Sequence, residues 1–365
     1  MSGGVRAPFC AGPEIAVEDL CFNKRAQFTR WVTREGLLHE PFVVIDVGVQ
    51  GGANQRWELL GDHLVLHGFD AIAEVVAELQ ERNTAPNRYF HHFALGAADG
   101  ERDFYFNPSN PFSSSMVRQG DSRFDIESGE EVRKVAVRRL DTLFAQGVIP
   151  RCDFLKVDVE GFEKDVFLGA GELLGAGVLA VETETSFGIS PAYPSGHCMT
   201  IAQILLPHHL LLFDLGYNRV ARASFRRALM RKGLADEPGA DILGRPGTFN
   251  VLFCRDLIDE TDHAENYATL PSAVSLDQMI KAMIILELHG LNDIALDTAE
   301  RFAETLGSRL DVERASDLLA DPACREDDVT ELKRQLRAFE ESTSWRLTAP
   351  LRGLKRVFQR TGNGE

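Results

Sequence analysis

Five short runs built almost wholly of apolar residues, spaced by stretches of helical periodicity, restrict the folds open to this chain more than any other feature. They read Phe42-Val43-Val44-Ile45-Asp46-Val47-Gly48, then Leu64-Val65-Leu66-His67-Gly68-Phe69, then Phe90 to Leu95, Cys152 to Val159 and Val178 to Thr183. A strand with one face in water alternates polar and apolar side chains. One that is apolar throughout is covered on both faces, as in a parallel sheet between helical layers. Helical patterns from Ala71 to Asn83, Gly161 to Leu174 and Thr200 to Leu215 supply the crossovers. The expectation is an α/β fold with a doubly wound, mostly parallel sheet.

Two stretches depart from that rhythm. Glu101-Arg102-Asp103-Phe104-Tyr105-Phe106 and Lys134-Val135-Ala136-Val137-Arg138 alternate polar with apolar residues around a Ser/Asn/Pro loop at Asn107 to Ser115, which predicts added antiparallel strands. Tyr217 to Ala223 and Phe249 to Arg255 predict an antiparallel closing pair. Ahead of the first strand, Phe22, Phe28, Trp31 and Val32 mark one side of a helix. Beyond the sheet, Ser275 to Gly307 predicts a helical hairpin with Met279, Ile280, Met283, Ile284 and Leu288 on one side. Val329, Leu332, Leu336 and Phe339 form a seam about two heptads long, marginal alone and available for a homodimer. The expected organisation is a helical lead-in over 1–40, an α/β domain over 41–259, a helical hairpin extension over 260–325, and a coiled coil with a basic amphipathic tail over 326–365.

Charge and cysteines narrow the partners. The formal net charge is −16, and a polyanion needs clustered Lys and Arg to bind, so nucleic acid is not expected. Cys10, Cys21, Cys152, Cys198, Cys254 and Cys324 form no Cys-x-x-Cys pair and read as free thiols of a reducing cytosol. No basic-then-apolar leader is visible, and no run approaches the ~20 apolar residues that span a bilayer, so the expected location is cytoplasmic.

The chemistry-bearing residues cluster where the first, second and fourth strands end. Ile45-Asp46-Val47-Gly48-Val49-Gln50-Gly51-Gly52 is a glycine turn after a buried strand, at the edge where open α/β sheets bind ligands. Gln50 occupies the place of the second glycine of G-x-G-x-x-G, which counts against a dinucleotide. Asp70 ends the second strand, placed either to accept the hydroxyls of an adenosine ribose or to cap the next helix. Up to this point an NAD-dependent oxidoreductase and an adenosylmethionine-binding fold both remain open. Asp158 and Glu160 follow the fourth strand two residues apart, on one face if the strand continues, and buried paired acids are costly without a ligand, cation or proton to serve.

These stretches together resemble the FkbM-type methyltransferase family. The matching blocks are Val44 to Gly52, Gly68-Phe69-Asp70, Phe93-Ala94-Leu95-Gly96 with Asp99-Gly100, Leu140-Asp141-Thr142-Leu143, and Leu155-Lys156-Val157-Asp158-Val159-Glu160-Gly161. The resemblance spans roughly residues 42 to 255 and implies a class I methyltransferase (Rossmann-like) fold with S-adenosylmethionine as cofactor. It also implies O-methylation of a sugar hydroxyl in a surface polysaccharide, glycolipid or natural product. Carried over by position, Asp46, Gly48, Gln50 and Gly52 shape the methionine end, Asp70 holds the ribose, and Ala94 and Leu95 border the adenine. Asp70 stands where the family often has Glu, and Val49-Gln50-Gly51 replaces a commoner Ala-Asn-hydrophobic turn.

Removing a proton from an acceptor hydroxyl needs a base or a metal. Asp158 and Glu160 are the first candidates for the base, followed by Glu182, Glu184 and His197. A divalent cation on Asp158, Glu182 and Glu184 is compatible with the chemistry, although no spacing requires it. Ser113-Ser114-Ser115 is placed to line the acceptor pocket. The stretch from Ser342-Thr343-Ser344-Trp345-Arg346 to Arg352 resembles the end segment of bacterial surface-polysaccharide glycosyltransferases, and the basic amphipathic character of the tail through Arg360 suits an anionic membrane surface or a protein partner. A non-catalytic adaptor using the hairpin, seam and tail is the competing reading.

Overall fold

The computed structural model describes residues 22–23, 25–117, 131–187, 197–220, 245–258 and 274–320. Along the chain these form α1 (Gln27–Arg34), β1 (Phe42–Val47), β2 (Leu64–Asp70), α2 (Ala73–Arg82), β3 (Arg88–His92), β4 (Ala94–Leu95), β5 (Gly100–Phe106) and β6 (Glu131–Arg138). There follow α3 (Leu140–Ala145), β7 (Phe154–Val157), α4 (Glu163–Leu168), α5 (Gly171–Gly175), β8 (Ala180–Ser186), α6 (Cys198–Leu205), β9 (Leu210–Val220) and β10 (Arg245–Arg255). The helices α7 (Leu276–Leu288), α8 (Asn292–Arg301), α9 (Ala303–Leu306) and α10 (Val312–Leu319) complete the described residues.

Seven strands form one sheet in the order β3-β2-β1-β7-β8-β10-β9. All neighbours from β3 to β8 run parallel, while β10 is antiparallel to both β8 and β9. The expected doubly wound, mostly parallel sheet with an antiparallel closing strand is therefore what the chain adopts. The uniform apolarity of β1 has a direct cause. Phe42 and Val44 enter a core with α1, α7, α8 and α10, whereas Ile45 and Val47 enter a second core with α3 to α6. Alternate residues of one strand thus feed opposite layers. A separate sheet, β4-β6-β5, carries its own cluster of Ile72, Ala94, Phe104, Phe106, Val135 and Val137.

Several boundaries differ from the expectation. The third run divides at Phe93: β3 joins the large sheet as its edge, and Ala94 and Leu95 pair with β6 in the small one. Cys152 to Val159 is strand only over Phe154–Val157, and Glu160 then takes a left-handed backbone with φ of 56°. Asp158 and Glu160 are accordingly not strand neighbours on one face; a turn presents them. Gly161 to Leu174 makes two short helices, because the chain passes so close to Gly96 at Gly169 that a Cβ there would collide with its carbonyl oxygen. Thr200 to Leu215 is helical only to Leu205; Pro207 lies in a closing 3₁₀ turn and Leu210 already begins β9.

The helix α7 is buried nearly all round, not on one side as its apolar spacing predicts. Its charged residues are the reason it can be. Lys281 Nζ reaches Asp153 Oδ2 at 2.9 Å and donates to the Pro41 carbonyl at 2.6 Å. Glu287 accepts from the Phe28 and Thr29 amides at 2.8 and 2.7 Å, capping the first turn of α1. Ser275 and Gln278 close a capping box at the start of α7. The seam from Asp327 to Phe339 and the basic tail lie outside the described residues, as do Cys10, Cys21 and Cys324; Cys152, Cys198 and Cys254 are buried free thiols. Among the described residues no helix is long and apolar enough to cross a membrane.

Candidate functional site

A cleft with about 800 Å³ of empty volume, solvent included, opens at the carboxyl ends of β1, β2 and β7. The crossovers reverse direction around β1, and a crevice forms there because its neighbours' connections leave to opposite sides. Gly48 makes the first turn: with φ of 85°, its N–H donates to the Phe69 carbonyl at 2.9 Å. A Cβ at Gly48 would collide with the Asp158 carbonyl oxygen, so only glycine allows the two strand ends to meet. Gln50 lines the cleft, while Gly52 shapes the turn behind it, its N–H donating to Val49 at 2.9 Å.

Asp70 lines the cleft from the end of β2, with Oδ1 accepting the Ile72 amide at 2.8 Å. It lines the cavity while holding the amide of Ile72, the N-cap of α2, which itself makes no side-chain cap bond. Burial pushes its carboxyl up to about 6 against the pull of the Ile72 amide and His92. Ala94 and Leu95 line the same end together with Ile72, Phe104 and Met116, an apolar slot roofed by the small sheet. Asp46 sits beneath the glycine turn, almost without solvent exposure, and its Oδ1 finds no hydrogen-bond partner. Burial raises it to about 6, with Lys156 opposing.

The other end of the cleft is acidic. Asp158 and Glu160 line it, and Lys156 Nζ stands 3.3 Å from Asp158 Oδ2 and 3.7 Å from Asp46 Oδ1. Burial works against the Lys156 charge, but Asp46, Asp158 and Glu182 hold its proton well above the usual lysine range. Asp158, Glu160 and Glu184 each bring an oxygen within 4.8 Å of the others. Such a set could take a divalent cation through oxygen ligands, with Glu160 in the place the sequence reading gave to Glu182. Glu184 is raised to about 7 by burial and by Asp158.

Three of the candidate bases, Glu182, His197 and Glu184, are not among the residues that line the cleft. Glu182 is buried against Arg56 Nη1 at 3.2 Å and His289 Nε2 at 3.5 Å. Burial pushes its carboxyl up, but the His289 ring, the Arg56 guanidinium and Lys156 bring it down to about 2. His197 precedes α6 and bridges Ser186 through its backbone. Ser114 lines the cleft, whereas Ser115 donates its hydroxyl to the Glu160 carbonyl at 2.8 Å. Lys156 has no role in the sequence reading beyond its place in the Leu155–Gly161 block. A lone cation inside an apolar strand is the signal that singles it out. Phe104, Phe112 and Met116 carry no such signal, because the small sheet and its loop bring them to the cleft.

Residues 46–192 match the family model described as "Methyltransferase FkbM domain". A structure of methyltransferase FkbM from Methylobacillus flagellatus aligns at 14% identity and a TM-score of 0.31, covering 53% of this chain and 44% of its own. The chain thus spans less than half the length of that protein. A magnesium protoporphyrin IX methyltransferase from Synechocystis with bound S-adenosylmethionine aligns at 10% identity and a TM-score of 0.28, covering 63% and 76%. An arsenic(III) S-adenosylmethionine methyltransferase from Chlamydomonas reinhardtii aligns at 7% identity and a TM-score of 0.33, covering 65% and 66%. No curated protein matches the chain.

Proposed function

We propose that this chain, whose residues 46–192 match the methyltransferase FkbM domain, is an O-methyltransferase that moves a methyl group from S-adenosylmethionine to a sugar hydroxyl of a polysaccharide, glycolipid or natural product. The observation that carries the reading is one cleft with the Gly48 turn, the Asp70 carboxylate and the Asp158 turn around it. The residues fit the nucleoside methyl donor. Gly48 leaves bare backbone where a side chain cannot go, Asp70 offers a carboxylate to a vicinal diol, and Ile72, Ala94 and Leu95 offer an apolar slot to a purine. Asp46, with an unsatisfied buried oxygen, supports the methionine end from below. S-adenosylmethionine supplies a methyl group activated by a sulfonium leaving group.

The chain's own residues then orient the acceptor and take its proton. Asp158 and Glu160 hold the acceptor in line, one of them accepting the single hydrogen bond its hydroxyl donates, an arrangement that converts a bimolecular displacement into one of fixed geometry. The proton passes to a carboxylate of this acidic end as the oxygen–carbon bond forms and the carbon–sulfur bond breaks. Glu184, at about 7 and within reach of both, is matched to that transfer near neutral pH. The same charges favour an uncharged acceptor. Lys156 is the one cation among the described lining residues, and Asp46 and Asp158 already engage it, so a phosphate there would face acids only. The described part of the cleft therefore suits a neutral hydroxyl.

The outer segments extend the proposal. The basic tail would hold the protein at an anionic inner-membrane surface or on a partner, the seam would support a homodimer, and the domain would end near residue 259. Calorimetric titration of the full chain with S-adenosylmethionine and with NAD tests the assignment. Binding of the first alone is expected, and binding of NAD alone would replace a methyltransferase with an oxidoreductase. Labelled methyl transfer to a panel of glycosides and glycolipids then identifies the acceptor.

A further inference from the structure

We propose that Glu163 is a positioning residue of this cleft: by accepting two backbone amides it sets the turn that presents Asp158 and Glu160, and through that turn it governs binding of the methyl donor. The proposal rests on reading the cleft as the S-adenosylmethionine site.

The chain has a geometric problem between β7 and α4. Asp158 N–H still donates to Val47 at 2.9 Å, as if the strand continued, yet α4 begins at Glu163. Glu160 turns the backbone through the left-handed region, which a side-chain-bearing residue adopts only when its surroundings hold it there. The bend aims the Val159 and Gly161 amides at the first residue of α4. Glu163 Oε1 accepts both, at 3.2 and 2.9 Å. On the opposite side Ser115 Oγ donates to the Glu160 carbonyl at 2.8 Å. The turn is thus gripped from α4 and from the loop that roofs the cleft. Its first residue packs on Gly48 so closely that a methyl group would not fit. A shift of the Asp158–Gly161 turn therefore transmits directly to the glycine turn.

Glu163 is only 1% exposed. Burial pushes its carboxyl up to about 8 and the Glu184 charge adds to this, while the two amides pull it down. Glutamine offers the same acceptor oxygen at the same reach and tolerates this environment. Alanine leaves both amides without it.

The experiment is a calorimetric titration of the full chain with S-adenosylmethionine, with thermal unfolding followed in parallel. Wild type, Glu163→Ala, Glu163→Gln and Glu287→Ala are compared. Glu287 serves as the control, because it also accepts two backbone amides but on the far layer, at α1. Glu163→Ala is expected to weaken binding about tenfold or more, and Glu163→Gln to restore it to within about twofold. Glu287→Ala is expected to lower the unfolding temperature with unchanged affinity. Wild-type affinity in Glu163→Ala, equal weakness in Glu163→Gln, or equal weakening in Glu287→Ala would overturn the positioning role. Should Glu163→Ala fail to fold, Glu163→Asp carries the test, since it withdraws the carboxylate by one methylene; unchanged affinity there would also overturn it. A wild-type chain that does not bind the methyl donor would instead remove the reading of the cleft on which the proposal stands.

Discussion

A lysine stands at each end of β7, Lys281 buried and Lys156 half-buried, and they are used in opposite ways. At the amino edge, Lys281 is 2% exposed, and its ammonium meets Asp153 at 2.9 Å and the Pro41 carbonyl at 2.6 Å. Asp153 Oδ2 also takes the Val43 amide at 2.8 Å. At the carboxyl edge, Lys156 is 23% exposed and stands 3.3 and 3.7 Å from its two acids. Asp153 Oδ1 and Asp46 Oδ1 are both left without a hydrogen bond, so what separates the two pairs is that Lys156 lines the cavity and Lys281 does not. The same residue types therefore fasten a layer at one edge and leave a binding surface at the other, where open α/β sheets take their ligands.

Lys281→Met gives the largest expected effect. It strips the cation from a buried carboxylate, a loss of about 3–5 kcal/mol in unfolding free energy. Urea denaturation should show that loss, while the affinity of the folded protein for S-adenosylmethionine stays within about twofold of wild type. Unchanged stability combined with lost affinity would dissolve the distinction between the two edges. Asp70→Ala should do the reverse at a smaller magnitude. It removes a ribose acceptor and weakens the methyl donor by about tenfold or more, roughly 1.4 kcal/mol. Its unfolding midpoint should move little, because Asp70 contributes one local hydrogen bond, to the Ile72 amide. Full affinity in the variant would place the ribose elsewhere.

How much of this was legible in the sequence depends on how local each cause is. The strand β1 was readable because Phe42, Val44, Ile45 and Val47 each enter a core, so apolarity itself carries the information. The glycine turn and Asp70 were readable because both sit where a strand ends. The division at Phe93 was not, since it depends on β4 finding β6 more than forty residues later. Glu182 and Glu184 look alike in the sequence, two positions apart on β8. Glu182 is claimed by Arg56, 126 positions away, and by His289, which is placed by α7. Glu184 escapes that pairing and joins Asp158 and Glu160. The left-handed turn at Glu160 was hidden for a related reason: the residues that hold it, Ser115 and Glu163, reach it from two other elements.

The pH dependence of methyl-donor binding gives the smallest effect and the finest test of the carboxyl edge. Asp70 is held at about 6 chiefly by burial. A ribose hydroxyl donates to the ionised carboxylate more strongly than to the acid, so affinity is full above that value and falls as the pH drops through it. At pH 5 about one tenth of Asp70 remains ionised, which predicts roughly tenfold weaker binding than at pH 7.5. Asp70→Asn cannot ionise and should be weaker at pH 7.5 but nearly flat down to pH 5. Asp46 also lies at about 6, so a slope surviving in Asp70→Asn measures its share, since its protonation would weaken support beneath the methionine end. Calorimetric affinities at half-unit steps separate the two carboxylates. A flat wild-type curve would mean that neither of them grips the methyl donor as an anion, and the contrast between the two edges would then rest on Lys156 alone.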